Sequence, residues 1–177
     1  MPSGKTHDAV TFFLAVPTFA IAWKSTGSVS IAAVVSAAFI FGGLMFGPDL
    51  DTHSVQYTRW SVFRFLWYPY QTFFAHRSRW SHGLVFGTLF RVVYFMGALT
   101  LLSFLPFYVF AAYSGGALPD LVSFTGNWRQ IGEDARANVG ADVLTTAFVG
   151  LWLGAASHTL TDMAGSFIKH GRIMEFL

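Results

Sequence analysis

Aspartate and histidine side chains are concentrated in one stretch, residues 47–53, which follows an apolar run directly. Asp49 and Asp51 are two residues apart there, and His53 follows them. Carboxylate oxygens and imidazole nitrogens are the natural donors for hard and borderline divalent cations. The sequence therefore predicts that this stretch supplies part of a metal site. His53 has the weakest geometric case of the three.

The remaining candidate ligands lie at the ends of other apolar runs: His7, His76, His82, His158 and Asp162. His158 and Asp162 are four residues apart, so on a helix they share a face and can hold one ion. Asp49 and Asp51 are expected to point the same way from an extended backbone.

His76 and His82 are six residues apart and would diverge on one continuous helix. Both can bind the same ion only if the chain breaks between them, and Ser81 is the predicted N-cap at that break. Singly, each such residue is better explained as a helix cap or a hydrogen-bonded histidine. Together they favour a metal site.

The elements that must position these residues are membrane helices. Of 177 residues, 54% are hydrophobic and only 11% are charged, whereas soluble domains carry about 25% charge. We expect an all-α integral membrane bundle of about four transmembrane helices plus an interfacial helix broken at Pro69. The predicted spans are residues 9–24, 29–47, 83–111 and 142–167. Between them lie the interfacial, metal-binding segment 48–82 and a polar loop, 113–140, with a short helix at 128–137.

Four spans would place both termini and segment 48–82 on one side of the membrane. That side carries seven basic residues and the other side three: Lys5, Arg59, Arg64, Arg77, Arg79, Lys169 and Arg172 against Lys24, Arg129 and Arg136. The excess of positive charge predicts that the first side is cytoplasmic. All the candidate ligands then lie at the cytoplasmic end of the bundle, in an inner, cytoplasmic or thylakoid membrane.

Arg91 is the charged residue inside the third predicted span. An arginine in a membrane span is a functional candidate, here for neutralising an acidic cluster or a substrate phosphate. It could equally extend to the nearby interface, about two helical turns away. Both readings stay open, and Arg91 joins Asp49 and Asp51 as a candidate catalytic residue.

Other classes of function are disfavoured by composition. The formal net charge is only +2 and cysteine is absent, so we expect no nucleic-acid partner, disulfide or thiolate site.

The number of candidate ligands exceeds the four that one zinc ion usually takes. We therefore expect one or two divalent ions, with zinc as first choice and manganese or iron as alternatives. Two ions bridged by carboxylates suit phosphoester hydrolysis.

Five segments also carry a family resemblance. They are Pro2-Ser-Gly-Lys-Thr-His-Asp8, Phe46-Gly-Pro-Asp-Leu-Asp51, Ser54-Val-Gln-Tyr-Thr-Arg-Trp60, His76-Arg-Ser-Arg-Trp-Ser-His-Gly83 and His158-x-x-x-Asp162. The chain resembles an uncharacterised bacterial family of metal-binding membrane proteins, frequent in cyanobacteria. It is distantly similar to the inner-membrane-associated, LexA-binding metal-dependent hydrolases. The resemblance implies the ligands His7, Asp49, Asp51, His76 or His82, His158 and Asp162. The spacing of His76 and His82 is one residue longer than in the hydrolases.

The sequence leads to two main functional hypotheses. The first is a membrane-bound, metal-dependent hydrolase of a phosphoester or lipid-like substrate, in which Asp49 or Asp51 bridges ions or acts as base. The second is a non-catalytic metal-binding or scaffold subunit of a larger membrane protein complex. A transporter is disfavoured, because neither an inverted repeat nor charge at the middle of the membrane is visible. Membrane lipids are the expected partners in either case.

Overall fold

The regular elements of the protein are helices throughout the part of the chain that a computed structural model describes, residues 2–74, 78–84 and 86–171. The α-helices are α1 (Gly4–Thr26), α2 (Val29–Leu44), α3 (Val55–Arg59), α4 (Tyr68–Phe73), α5 (Arg79–His82), α6 (Phe86–Ser114), α7 (Leu121–Val139) and α8 (Val143–His170). Two 3₁₀ helices, Pro48–Asp51 and Ser61–Trp67, lie in the connection between α2 and α4. The all-α prediction is confirmed for these residues.

Three of the described helices, α1, α6 and α8, are long and apolar enough to cross a membrane. The prediction of four such helices is therefore corrected. Helix α2 has only 16 residues, which at 1.5 Å per residue gives about 24 Å against a hydrocarbon core of about 30 Å. The apolar run continues to Phe46, but the helix ends at Leu44, so the length of the run overstated the length of the helix.

Helix α2 packs between α1 and α8, with almost direct backbone contact against α8. A Cβ atom on Gly154 would lie 2.0 Å from the carbonyl oxygen of Phe39, and one on Gly42 would lie 2.3 Å from that of Leu151. Small residues at helix interfaces allow this approach. As a result, the C-terminal half of α8 lies beside the end of α2, where the Pro48–Asp51 helix begins.

The predicted single interfacial helix is instead a series of short helices. Pro69 lies in the first turn of α4 and so begins a helix rather than breaking one, because proline needs no backbone donor at that position. The main bend comes earlier, at Ser61, whose φ of 49° is unusual for a residue other than glycine. Several aromatic residues of the segment form a core: Trp67 is fully buried and stacks on Phe95 at 5.6 Å between ring centroids.

The predicted third span begins later than expected, because His82 ends α5 and α6 starts at Phe86. Ser81 lies inside α5 and is not the N-cap of α6, which corrects that prediction. The hydroxyl of Ser78 instead accepts a hydrogen bond from the backbone N–H of Ser81 at 3.2 Å. The predicted break before His82 therefore comes at the start of α5, and the serine that caps that helix is Ser78.

The predicted polar loop is largely a helix, α7, of 19 residues. Asp120 caps it by accepting a hydrogen bond from the backbone N–H of Ser123 at 2.9 Å. Trp128 anchors it to α6 through a hydrogen bond from its Nε1 to the hydroxyl of Thr100 at 2.8 Å. The prediction of a short helix at 128–137 therefore began too late in the chain, because the N-cap is Asp120 and the helix begins at Leu121.

The contact between α2 and α8 gives a first prediction. Gly154→Ala places a methyl group against the Phe39 carbonyl, so the helices must separate, and we expect a loss of about 1–3 kcal/mol in unfolding free energy. Thermal unfolding in detergent, followed by circular dichroism, measures this. Gly97→Ala is the control, since a Cβ atom there meets nothing within 4 Å. Equal stability of both variants and the native protein would contradict the proposed close contact.

Candidate metal centre

Three buried side chains from the first and last described helices meet at the centre of the site: His7 of α1 and His158 and Asp162 of α8. We call these three residues the metal cluster. Nε2 of His7 lies 3.2 Å from Oδ1 of Asp162, and Nε2 of His158 lies 3.6 Å from Oδ2. The imidazole rings stack with centroids 3.8 Å apart. One possible ligand atom from each residue lies within 4.8 Å of the others, a spacing at which they could hold one ion.

Asp49 extends this cluster toward α5. Its Oδ2 lies 3.2 Å from Nε2 of His158, and its Oδ1 lies 3.5 Å from Nε2 of His82. The backbone here is a 3₁₀ helix that starts at Pro48, not the extended segment that the sequence predicted. The two carboxylates of this helix still face a common partner, His82, but from different directions.

Asp51 lies on the far side of His82, with its Oδ2 3.3 Å from Nδ1 of that ring. Each ring nitrogen of a histidine offers one lone pair or one proton, so the two carboxylates use opposite edges of the imidazole. Burial opposes a charge on His82, but contacts with Asp49 and Asp51 outweigh burial and raise the pKa of the imidazole. Asp51 is therefore separated from the metal cluster by His82 and Asp49.

The carboxyl of Asp49 stays ionised for a related reason. Burial would raise its pKa, but the adjacent imidazoles of His158 and His82 outweigh burial and lower the pKa well below its ordinary value. An ionised carboxylate oxygen beside histidine side chains is a donor suited to a divalent cation.

The buried polar atoms of the cluster fit a cation. Oδ1 of Asp49, Nε2 of His158 and Oδ2 of Asp162 are buried and make no hydrogen bond within the described ranges. Such atoms cost free energy unless something satisfies them. A cation placed among them would do so, and imidazole nitrogen with carboxylate oxygen is a donor set suited to zinc, manganese or iron.

Gln56 of α3 orients His158, and it did not appear among the residues predicted from the sequence. Its Nε2 lies 3.2 Å from Nδ1 of His158 and donates to the carbonyl of Gly43 at 2.8 Å. A histidine that binds metal through one nitrogen usually donates a hydrogen bond through the other. With Nδ1 carrying the proton, the Gln56 amide would have to turn its oxygen toward that ring, so metal binding and the orientation of this amide are linked.

A cavity of about 110 Å³ opens beside the cluster. It is lined by Pro2, Gly4, His7, Asp8, Gly43, Asp49, Val55, Gln56, Arg59, His158 and Asp162. Since a cavity needs about 10–15 Å³ of such space to hold one water, it has room for several waters. Arg59 donates to Asp8 Oδ2 at 2.5 Å and to the carbonyl of Leu44 at 2.8 Å. Sequence reasoning missed Asp8 and Arg59, although both lie in segments that carry the family resemblance.

The other predicted site residues lie elsewhere. Arg91 is 2% exposed and donates to the carbonyl of Ser81 at 2.6 Å and to the hydroxyl of Thr88 at 3.1 Å. It contacts the backbone next to His82 and does not line the cavity. His53 is exposed, with its ring against Tyr57. His76 lies outside the described residues.

The cluster gives a second prediction. Either His158→Ala or Asp162→Asn removes a ligand from the site, so bound metal should fall well below that of the native protein, by elemental analysis after purification. His53→Ala is the matched control, because this histidine is exposed and outside the cluster, and it should keep its metal. Full metal content in both cluster variants would show that the ion binds elsewhere.

Comparison with known proteins agrees with the chemistry of the site. A search of curated proteins found no match, and a search of solved structures found none. A family model described as "Uncharacterized metal-binding protein (DUF2227)" matches residues 2–172, so the match includes every residue of the cluster. The chain belongs to this family of metal-binding proteins.

Proposed function

We propose that the protein is embedded in a membrane and is a metal-dependent hydrolase of a phosphoester or lipid-like substrate at the cytoplasmic membrane face. The observation that carries the proposal is an open site: a buried His7–His158–Asp162 cluster beside a cavity. Structural zinc sites are usually closed by four protein ligands, whereas catalytic sites keep a position for water or substrate. The resemblance to the LexA-binding hydrolases supports the same reaction class.

The chain's own residues have separable roles in this proposal. The metal cluster holds the ion, with zinc as first choice and manganese or iron as alternatives, and one or two ions bound. Such an ion supplies acidity to a water molecule and polarises a phosphoryl oxygen. Asp49 is the proposed base, since it lies 3.2 Å from His158, lines the cavity and is 23% exposed, whereas the carboxylate of Asp162 is 2% exposed. Asp51 holds His82, and Arg91 holds the backbone at Ser81, so both position the residues around Asp49.

The membrane part of the proposal is supported by α1, α6 and α8, which have the length and apolarity of spans. His7 lies one turn into α1, and Asp162 lies in the last third of α8, so the cluster is near one end of both helices. A metal site in that position lies near the boundary between lipid and water. Although α2 is shorter than a span, it runs back along α1, so that Gly43 lies against Thr11 and segment 48–82 begins at the same end as α1. The excess of lysine and arginine at that end supports a cytoplasmic orientation.

A second candidate, a non-catalytic metal-binding or scaffold subunit of a larger complex, is favoured by α6. The second half of this helix presents large exposed apolar side chains, such as Leu105, Phe107 and Phe110. Lipid would cover this surface in the hydrolase proposal, and a partner protein would cover it in the scaffold proposal.

Turnover separates the two candidates. The purified protein, loaded with Zn²⁺ or Mn²⁺, should hydrolyse a lipid phosphoester, and a chelator should abolish the reaction. Asp49→Asn should lower kcat by about 100-fold or more, the scale of losing a general base, while His53→Ala should not change it. A folded, metal-loaded sample with no turnover on lipid phosphoesters would contradict the hydrolase and favour the scaffold.

The orientation can be tested by labelling, because the chain has no cysteine. Thr58→Cys on α3 and Ser123→Cys on α7 each place one thiol at an exposed position. In cells that express the protein, a membrane-impermeant maleimide should label Ser123→Cys directly and Thr58→Cys only after permeabilisation. Labelling of both variants in intact cells would contradict a membrane-spanning arrangement, and the reverse pattern would contradict the orientation.

A further inference from the structure

Arg59 is the cationic side chain among the residues that line the cavity beside the metal cluster. We propose that Arg59 forms an anion subsite there, which binds a phosphate-type oxyanion of the ligand next to the ion. This inference rests on the proposed function, because it names the chemical group that the metal site acts on.

The guanidinium is held in place but is not fully engaged. Nη2 donates to Asp8 and Nη1 donates to the carbonyl of Leu44, while a guanidinium has five N–H groups. The Arg59 side chain is 29% exposed and that of Asp8 is 30% exposed. Arg59 therefore combines a fixed orientation with donors that an incoming oxyanion can reach, and its planar fork matches phosphate geometry.

The charges of the lining indicate when an anion can enter. Asp8, Asp49 and Asp162 line the same cavity as Arg59, so three carboxylates face one guanidinium and an anion would be repelled. A divalent ion in the metal cluster brings the formal charge of these groups to zero. The ion and Arg59 would then attract the same oxyanion, and Asp8 would compete with that oxyanion for the guanidinium.

The size of the cavity limits what can occupy it. A volume of about 110 Å³ has room for one tetrahedral oxyanion but is well below the roughly 300–1,000 Å³ of pockets that enclose a drug-sized ligand. The rest of a larger ligand would have to remain outside. Free phosphate and the phosphate of a lipid headgroup share this chemistry, so the experiment must separate these two sources.

The experiment measures anion affinity by calorimetry on metal-loaded protein. One arm titrates inorganic phosphate into protein in detergent. The other compares protein in nanodiscs of phosphatidylcholine with nanodiscs that also contain phosphatidic acid, and measures how much the lipid phosphate weakens binding of the added phosphate. The variants are Arg59→Gln, Arg59→Lys and Asp8→Asn. Arg64→Gln is the matched control, because Arg64 is exposed on the adjacent 3₁₀ helix and does not line this cavity.

We expect Arg59→Gln to weaken phosphate binding by about tenfold to a hundredfold, the scale of hydrogen bonds to a charged group. Arg59→Lys should recover part of that affinity, and it carries the test if loss of the Leu44 contact unfolds Arg59→Gln. Asp8→Asn should strengthen binding, because it removes the competing carboxylate, and Arg64→Gln should change nothing. Competition by phosphatidic acid in the native protein, lost in Arg59→Gln and partly recovered in Arg59→Lys, would identify the headgroup as the source, and its absence from the native protein would identify free phosphate.

Equal phosphate affinity in the native protein and the Arg59 variants would overturn the subsite, as would equal weakening by Arg64→Gln or no binding to the native protein. Metal content and turnover, measured on the same samples, keep this result separate from the proposed function. Arg59-dependent phosphate binding by a metal-loaded protein that turns over no phosphoester would support the subsite and contradict the metal-dependent hydrolase.

Discussion

The end of α2 is the constraint on which the rest of the site depends. A helix leaves its last carbonyl groups without partners inside the helix, and here the carbonyls of residues 43–45 receive hydrogen bonds from side chains of the next segment. The donors are Gln56, Arg59 and Trp60, each at 2.8 Å. These contacts turn the chain back over the end of α2, so that the intervening 3₁₀ helix brings Asp49 to the metal cluster. Two of these side chains, Gln56 and Arg59, therefore also build one wall of the cavity.

The cost of buried charge explains why a cation suits this place. Asp162 is 2% exposed, and a carboxylate at that depth is unfavourable unless a positive charge or several hydrogen bonds compensate for it. Its neighbours His7 and His158 can each compensate only by carrying a proton or by sharing a metal ion with it. Metal binding removes the protons from these imidazoles and satisfies all three groups together.

Particular residues show how much of the fold and of the site could be predicted from the sequence. The pairing of His158 with Asp162 followed from helical spacing alone. The meeting of aspartates and histidines at one end of the bundle was predicted from a count of four spans, one of which, α2, is shorter than a span but still runs back to that end. The relation of Asp49 to Asp51 was wrong in its geometry, since a proline-initiated 3₁₀ helix replaced the extended backbone. Gln56 and Arg59 were missed because their main partners are backbone carbonyls far away in the chain, which no local pattern encodes. The length of α7 was underestimated because its many polar residues made the segment resemble a loop, although its apolar residues recur with helical spacing.

The three residues of the metal cluster lie in α1 and α8, the first and last of the described helices. Bringing α1 and α8 together closes a loop of most of the chain, which costs conformational entropy. Binding of an ion would offset that cost only when both helices are present. During synthesis, a chain that has not yet passed Asp162 lacks both ligands from α8 and can offer an ion only an incomplete set. The protein would therefore acquire its metal late, after α8 has been made and has docked against α2. Occupancy of the site would then report on completed assembly of the bundle.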